Sequence, residues 1–175
     1  MSDPAARNAP ALASDPAWTA YGDTILVMGN DDILARVDLR RRLTTGMRDL
    51  LVTMAGGERF GIVTPHDPGG RTLDDAENAA RVRALRDELE REGLPYFRAD
   101  GQNESGSHVE RGFAIVADRE TIRGIAGRTE QTAFYWFDGE RMWLVPTRPD
   151  EAAVALPTTP DALEDHLDGD DGDTP

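Results

Sequence analysis

The sequence predicts an α+β fold of the ferredoxin-like class, an antiparallel sheet with helices on one face and extra strands that extend it. Three observations predict this. Between residues 60 and 137, short apolar runs alternate with two helical patterns in the order strand, helix, strand, strand, helix, strand, which is the split βαβ arrangement, βαββαβ. Two strand-forming runs precede this core, at 24–28 and 33–39. An Asp-Gly pair between apolar runs, at 138–139, predicts a closing hairpin.

The elements before the core follow from turn and breaker residues. The segment GNDD separates the runs TILVM (24–28) and ILARVDL (33–39), and its turn chemistry predicts that these two strands pair. A short helix is expected over 47–56, ending at the Gly56-Gly57 pair. The compact apolar run FGIVT (60–64) then predicts the first core strand, which leads into a loop rich in proline and glycine.

The helix after this loop has the clearest periodicity. Thr72 is its candidate N-cap, with Asp75 three residues later, close to a capping box. Gly93 ends the helix. Its apolar stripe recurs at helical spacing, at Val82, Leu85 and Leu89.

The remaining core elements alternate in the same way. A strand is expected at 94–99, a turn-rich segment at 100–108 and a second strand at 112–117. Asp118 is the candidate cap of a second helix. The runs TAFYWF and ERMWLV then form the hairpin, whose aromatic side chains favour a homo-oligomer.

Composition divides the chain into one domain and two tails. Residues 1–16 are rich in Ala, Pro and Asp without apolar periodicity, and they are predicted to be disordered. Residues 148–175 are predicted to form an acidic disordered tail. A single α+β domain is therefore expected over 17–147, with the ferredoxin-like core at about 60–145.

Charge and cysteine content limit the classes of function. The formal net charge is −14, from 33 acidic and 19 basic residues, and every basic residue is arginine. This balance argues against general nucleic-acid binding, because phosphate repulsion opposes it. The absence of cysteine excludes disulfides and thiolate chemistry. Without a run of about 20 apolar residues or a secretory pattern at the N-terminus, a cytoplasmic protein with no membrane partner is expected. No cofactor is implied.

One candidate site lies at the proline-and-glycine loop and the start of the helix after it. Asn78 falls on the apolar stripe of the helix, Arg81 borders the same face, and both are expected beside His66. Free N–H groups at the helix start favour a ligand. Alternatively, Asn78 hydrogen-bonds the loop backbone and Arg81 pairs with an acidic residue of the first turns. Gln131, just before the hairpin, is either a turn residue or a ligand contact.

The second candidate is Glu110, which stands just before a buried strand. His108 lies two residues earlier and shares its face if the segment is extended. Glu110 is suited to act as a base or to stabilise a positive ligand, or it is an exposed glutamate paired with arginine. His66 with Asp67, His108 and Glu110 has the residue types of a two-His, one-carboxylate metal site, but nothing in their spacing requires that they converge, and no metal is predicted. The cluster Arg40, Arg41 and Arg42 is expected to be a solvated face.

The order of these features along the chain resembles that of a small bacterial family, domain of unknown function family 3293. The features that carry the resemblance span about residues 18 to 145: an aromatic start (WTAY), the run FGIVTPHDPG, Asn78 and Arg81 on a helix, Glu110 before GFAIV, and Gln131 before TAFYWF. This chain departs from the usual family pattern at Pro65-His66. The family implies no established activity.

A fainter resemblance is to the phage S-adenosylmethionine lyases, in which carboxylates face the sulfonium charge of the ligand. It implies a carboxylate role for Glu110 and places Asn78 and Arg81 near the ligand. The lyases' tyrosine ahead of the glutamate has no clear counterpart here. The expected function is therefore binding of an adenosyl- or nucleotide-like small molecule at 65–81 with Glu110 opposite. The alternative is a non-enzymatic interaction or regulatory module.

Overall fold

The computed structural model describes residues 20–30 and 32–158. These residues form one antiparallel sheet and three α-helices of ten or more residues. The strands are Ile25–Gly29 (β1), Leu34–Asp38 (β2), Phe60–Val63 (β3), Tyr96–Gln102 (β4), Val109–Glu110 (β5), Phe113–Ile115 (β6), Ala133–Phe137 (β7), Met142–Pro146 (β8) and Val154–Ala155 (β9). The helices are Thr45–Met54 (α1), Asp75–Glu92 (α2) and Arg119–Arg128 (α3), and Pro68–Gly70 forms a 3₁₀ turn.

The strands pair in the order β2-β1-β4-β6-β3-β7-β8-β9, and β5 pairs with β4. Every pairing is antiparallel. The predicted α+β class is confirmed. Both predicted hairpins form: Asn30 Oδ1 accepts the N–H groups of Asp32 and Ile33, and Asp138 Oδ1 accepts those of Glu140 and Arg141.

The central strands β3 and β7 are buried along their whole length, so both faces of the sheet are covered. On one face lie α2 and α3, through Leu85, Leu89, Ile122 and Ile125. On the other lies α1, whose Leu51 packs with Phe60, Ile62, Tyr135 and Phe137. The prediction of helices on one face is therefore wrong for α1, because the apolar residues of β3 and β7 point to both sides and need cover on both.

The ends of α2 and α3 are fixed by side-chain caps. The expected cap of α2 at Thr72 is wrong. Asp74 accepts the Glu77 N–H at 2.8 Å and Glu77 Oε2 accepts the Asp74 N–H at 3.1 Å, because the longer glutamate side chain reaches back to close the capping box. Gly93 ends α2 with a φ of 67°, as predicted, and Asp118 caps α3 through the Thr121 N–H.

One predicted boundary differs from the structure. The expected turn at 100–108 begins too early, because Gly101 and Gln102 pair with β1 on one side and with β5 on the other. The hydrogen bonds between these strands stabilise an extended conformation that the local turn propensity does not predict. A short strand also follows the expected domain end at 147, since Val154 pairs with Leu144 of β8. The predictions for residues 1–16 and for the acidic segment beyond 158 lie outside the described residues.

Across the two described ranges, no helix is both long enough and apolar enough to cross a membrane.

The packing of α3 on β3 depends on a residue without a side chain. A Cβ at Gly61 would lie 2.8 Å from Ile122 Cγ1 and would overlap that buried side chain. We expect Gly61→Ala to lower the free energy of unfolding by about 1–3 kcal/mol through overpacking, measured by urea denaturation. Gly46→Ala in α1 is the matched control, since no heavy atom lies within 4 Å of its added Cβ. Equal stability of the two variants would contradict this account.

Candidate functional site

The candidate site lies at the end of the sheet where β3 stops and β6 starts. Since these strands are antiparallel, with Val63 opposite Phe113, the loop after β3 lies beside Glu110. Gly112 makes the approach close, because a Cβ there would lie 2.9 Å from Thr64 Cα and would overlap the Val63 carbonyl oxygen. The Thr64 hydroxyl donates to Glu110 Oε2 at 3.3 Å. The two segments therefore share one polar surface.

Glu110 is held between two neighbours and remains partly accessible. Its Oε1 lies 3.2 Å from His108 Nε2, so the two residues point to the same face, as strand alternation predicts. The Glu110 side chain is 33% exposed. A carboxylate positioned by a hydroxyl and an imidazole, yet open to solvent, can receive a positively charged group.

His66 lies in the loop against the backbone that follows Glu110. Its Nε2 accepts the Arg111 N–H at 3.0 Å, which leaves the ring proton of the neutral form on Nδ1. Burial lowers the pKa of His66, and the negative charges of Glu110 and Asp67 oppose this shift only in part. His66 is therefore neutral at pH 7.

Asp67 and Asn78 form a reciprocal pair that shapes the loop. The Asp67 N–H donates to Asn78 Oδ1 at 3.0 Å, and Asn78 Nδ2 donates to Asp67 Oδ1 at 3.1 Å. Asp67 has a φ of 42°, a left-handed conformation that costs a non-glycine residue on the order of 1–3 kcal/mol. The Leu73 N–H lowers the pKa of Asp67, burial opposes the shift, and the Asn78 bond lowers it further. The pair compensates for the strained turn.

Arg81 and Gln131 bind the two carbonyl groups at the start of the loop. Arg81 Nε donates to the Pro65 oxygen at 2.7 Å, and its Nη2 donates to the Thr129 oxygen at 2.6 Å. Gln131 Nε2 donates to the His66 oxygen at 2.9 Å. The alternative in which Arg81 pairs with an acid of the first helical turns is wrong. Its nearest carboxylate is that of Glu130, at 4.0 Å, because the side chain extends towards the carbonyls.

The predicted site residues thus separate into two groups. His66 and Glu110 lie at the surface that we call the Glu110 patch, defined as Thr64, His66, His108 and Glu110. Asn78, Arg81 and Gln131 lie behind the loop and hydrogen-bond its backbone, which corresponds to the structural alternative given for Asn78. Thr64 was missed by sequence reasoning, although it ends the strand run FGIVT and alternates with Ile62.

Tyr135 is a second residue that sequence reasoning placed only among the packed aromatics. It is buried, and its hydroxyl donates to the Tyr21 carbonyl oxygen at 2.9 Å. Burial raises the pKa of Tyr135, and the charge of Glu110 adds to that shift. Tyr135 therefore stays protonated and neutral.

The donor atoms near the Glu110 patch do not form a metal-binding cluster. Within residues 20–30 and 32–158, no group of three or more His, Asp or Glu side chains is placed to hold a metal ion. Asp67 Oδ1 already accepts two hydrogen bonds, from Leu73 and Asn78. His66 Nε2 is engaged by Arg111.

A larger cleft lies at the other end of the sheet. It has a volume of about 970 Å³, and its walls include Arg59, Asp118, Arg119, Trp136 and Trp143. Trp143 Nε1 donates to Asp138 Oδ2 at 2.7 Å, so the indole N–H of Trp143 and one oxygen of Asp138 are already paired. We place the candidate site at the Glu110 patch because several elements converge there to position one accessible carboxylate.

The match to a known family covers the same part of the chain. The family model described as protein of unknown function (DUF3293) matches residues 63–134. This segment is a DUF3293 region. The match confirms the family predicted from the sequence and contains His66, Asn78, Arg81, Glu110 and Gln131. No curated protein and no solved structure matches the chain, and none of the comparisons supports the fainter resemblance to phage lyases.

The DUF3293 region runs from the end of β3 to the start of β7. It includes α2, α3 and the strands β4 to β6, whereas β1, β2, β8 and β9 lie outside the matched segment. The family segment therefore coincides with the loop, the Glu110 patch and the side chains that support them.

The contribution of Arg81 to stability can be measured by comparison with Arg83, which lies two residues later on α2. We expect Arg81→Gln to lower the free energy of unfolding by about 1–3 kcal/mol, because two carbonyl groups lose a charged donor. Arg83→Gln removes the same charge at an exposed position of α2 and should change stability by less than about 0.5 kcal/mol. Chemical denaturation checks both values, and equal losses would contradict the role given to Arg81.

The lowered pKa of His66 predicts that the stability of the folded protein decreases at acidic pH. The folded pKa is below the ordinary 6.5, so folding favours the neutral ring. The resulting stability is fully present above pH 6.5 and is lost as the pH falls through the folded pKa. In an NMR titration, the His66 ring signal should therefore titrate below pH 6.5. As the pH falls below 6.5, the His66→Gln variant should lose less stability than the wild type does. A His66 ring signal that titrates at or above pH 6.5 would contradict this account.

Proposed function

We propose that the DUF3293 region binds a positively charged small molecule of adenosyl or nucleotide type at the Glu110 patch. The observation that carries the proposal is a partly exposed carboxylate held by Thr64 and His108 beside a neutral histidine. This arrangement favours one localised negative charge over a metal-binding cluster. A sulfonium or amino group is the kind of charge that such a carboxylate stabilises.

His66 and Glu110 are the proposed direct contacts of the ligand. Glu110 is the catalytic carboxylate if the bound molecule reacts. Asn78, Arg81 and Gln131 are proposed to act on the ligand through the loop, since their donors bind the loop backbone. They would therefore fix the position of His66 relative to Glu110.

The fold proposal is that the central strands form a ferredoxin-like unit. The order β4-β6-β3-β7, antiparallel throughout, supports it. The two helices of this unit, α2 and α3, pack on the same face. In this assignment β1 and β2 extend one edge and β8 and β9 extend the other, and a ligand at the end of β3 lies next to the most constrained strand.

Self-association is a further part of the proposal. The aromatic residues of the β7–β8 hairpin are mostly buried within the chain, so they do not supply an exposed apolar surface. The outer edge of β2 is the better candidate, because it has no strand partner among the described residues and carries Leu34, which is 73% exposed. A mass from light scattering, measured for the wild type and for Leu34→Lys, would separate a dimer through this edge from a monomer.

The ligand proposal predicts a charge-selective response. S-adenosylmethionine at about a hundred times its dissociation constant should add about 2.7 kcal/mol, which is a rise of roughly 5–10 °C in melting temperature. Glu110→Gln should weaken its binding at least about tenfold. Methylthioadenosine, which has no positive charge, should bind the wild type and Glu110→Gln equally. A thermal-shift titration followed by calorimetry measures each effect.

Glu92→Gln is the matched control, because Glu92 is exposed at the end of α2 and makes no ion pair within the described residues. If Glu92→Gln weakens binding as much as Glu110→Gln, the effect is one of net charge and the Glu110 patch is not the site. If neither compound nor any nucleotide shifts the melting temperature, the alternative of a protein-interaction module gains support.

A further inference from the structure

A second polar depression lies at the end of the sheet opposite the Glu110 patch. It has a volume of about 460 Å³. Since β3 and β7 are antiparallel, with Phe60 opposite Phe137, the β7–β8 turn and the loop after β3 lie at opposite ends. The depression, here called the arginine pocket, is lined by Arg42, Leu43, Arg48, Glu140, Arg141, Ala155, Leu156 and Pro157.

Three separate segments bring arginines into this pocket. Arg42 precedes α1, Arg48 lies in the first half of α1, and Arg141 belongs to the β7–β8 hairpin. Within residues 20–30 and 32–158, none of the three has a carboxylate within ion-pair distance. The neighbouring Arg40 and Arg41 both pair with Asp38. Arg141 lies over the Trp143 ring, 5.9 Å from its centroid. Among the described residues, three arginines without an ion-pair partner therefore line one pocket in a chain whose net charge is −14.

Arg48 supplies the decisive detail. Its Nη2 donates to Thr45 Oγ1 at 3.1 Å, whereas its Nε is buried and makes no hydrogen bond. Among the described residues, it is the one buried side-chain nitrogen or oxygen without a partner. A buried charged donor without an acceptor leaves the guanidinium charge incompletely compensated in the folded state. Arg48 as a whole is only half-buried, so an anion in the pocket would offset that charge at the accessible end of the side chain.

The local charge around α1 agrees with this requirement. The first turn of α1 carries no acidic residue, whereas the first turns of α2 and α3 do. Glu140 is the carboxylate that lines the pocket, so three positive charges face one negative charge there. Guanidinium groups bind phosphate and carboxylate oxygens through paired N–H donors.

We infer that the arginine pocket is a binding site for an oxyanion, a phosphate or carboxylate group carried by a small ligand. Arg42, Arg48 and Arg141 supply the charge and the donors, and Leu43, Leu156 and Pro157 form an apolar wall beside the anion. The same chemistry has a source within the chain, because seven acidic residues follow between 161 and 173. A free ligand and this acidic segment would compete for the pocket.

Calorimetric titration of the full-length protein with inorganic pyrophosphate, and separately with citrate, tests the inference. We expect saturable binding of one anion per chain, weakened at least tenfold by Arg42→Gln and by Arg48→Gln. Arg83→Gln, an exposed position on α2 with the same loss of charge, should bind as the wild type does. Glu110→Gln should also bind normally, so failure here is separable from failure of the ligand proposal at the Glu110 patch.

The source of the anion is distinguished by the triple variant Asp170→Asn, Asp171→Asn and Asp173→Asn. Tighter pyrophosphate binding by this variant would identify the acidic segment as a competitor, and unchanged binding would leave a free ligand as the occupant. If Arg48→Gln lowers the melting temperature, its effect on binding is mixed with an effect on folding. Pyrophosphate binding by Arg42→Gln alone then tests the inference. Absence of binding in both the wild type and the triple variant would overturn the inference, as would equal weakening by Arg42→Gln and Arg83→Gln.

Discussion

The burial of β3 on both faces is the constraint on which the rest of the site depends. Because β3 is covered on both faces, the loop that follows it begins partly inside the protein. Pro65 and Pro68 of this loop are buried. Backbone N–H and C=O groups in such a loop cannot rely on water and need internal partners. Asn78, Arg81 and Gln131 provide these partners from α2 and from the turn before β7. Their polar side chains next to the core are a consequence of the central strand.

This constraint explains what could be predicted from the sequence. The hairpins, the stop of α2 at Gly93 and the cap at Asp118 depend on residues close in sequence, and they were predicted correctly. The unusual position of Asn78 on an apolar stripe was also visible. The partner of Asn78 was not visible, because an amide can bind a ligand or a backbone group equally well. Only the reciprocal hydrogen bonds with Asp67 in the folded structure show which of the two it binds. The extension of β4 through Gln102 escaped prediction because it depends on strands far away in sequence.

The charges of the molecule are distributed unevenly despite its acidic balance. At one end of the sheet the Glu110 carboxylate is partly accessible and is bound to Thr64 and His108. At the other end, arginines from three segments make no ion pair within the part of the chain that the structure describes. The antiparallel sheet separates the two regions by the length of its central strands, so each can attract a ligand of the opposite charge without neutralising the other.

The close approach at Gly112 has a consequence for comparing relatives of this chain. Its missing side chain is what lets the segment after Glu110 lie against the Val63 carbonyl and Thr64. Any larger residue at that position would push the two segments apart and leave the glutamate without its threonine neighbour. A relative that keeps the glutamate but replaces this glycine would retain the acidic residue as an ordinary surface charge. The glycine, more than the glutamate, therefore marks the chains in which the two segments form one surface.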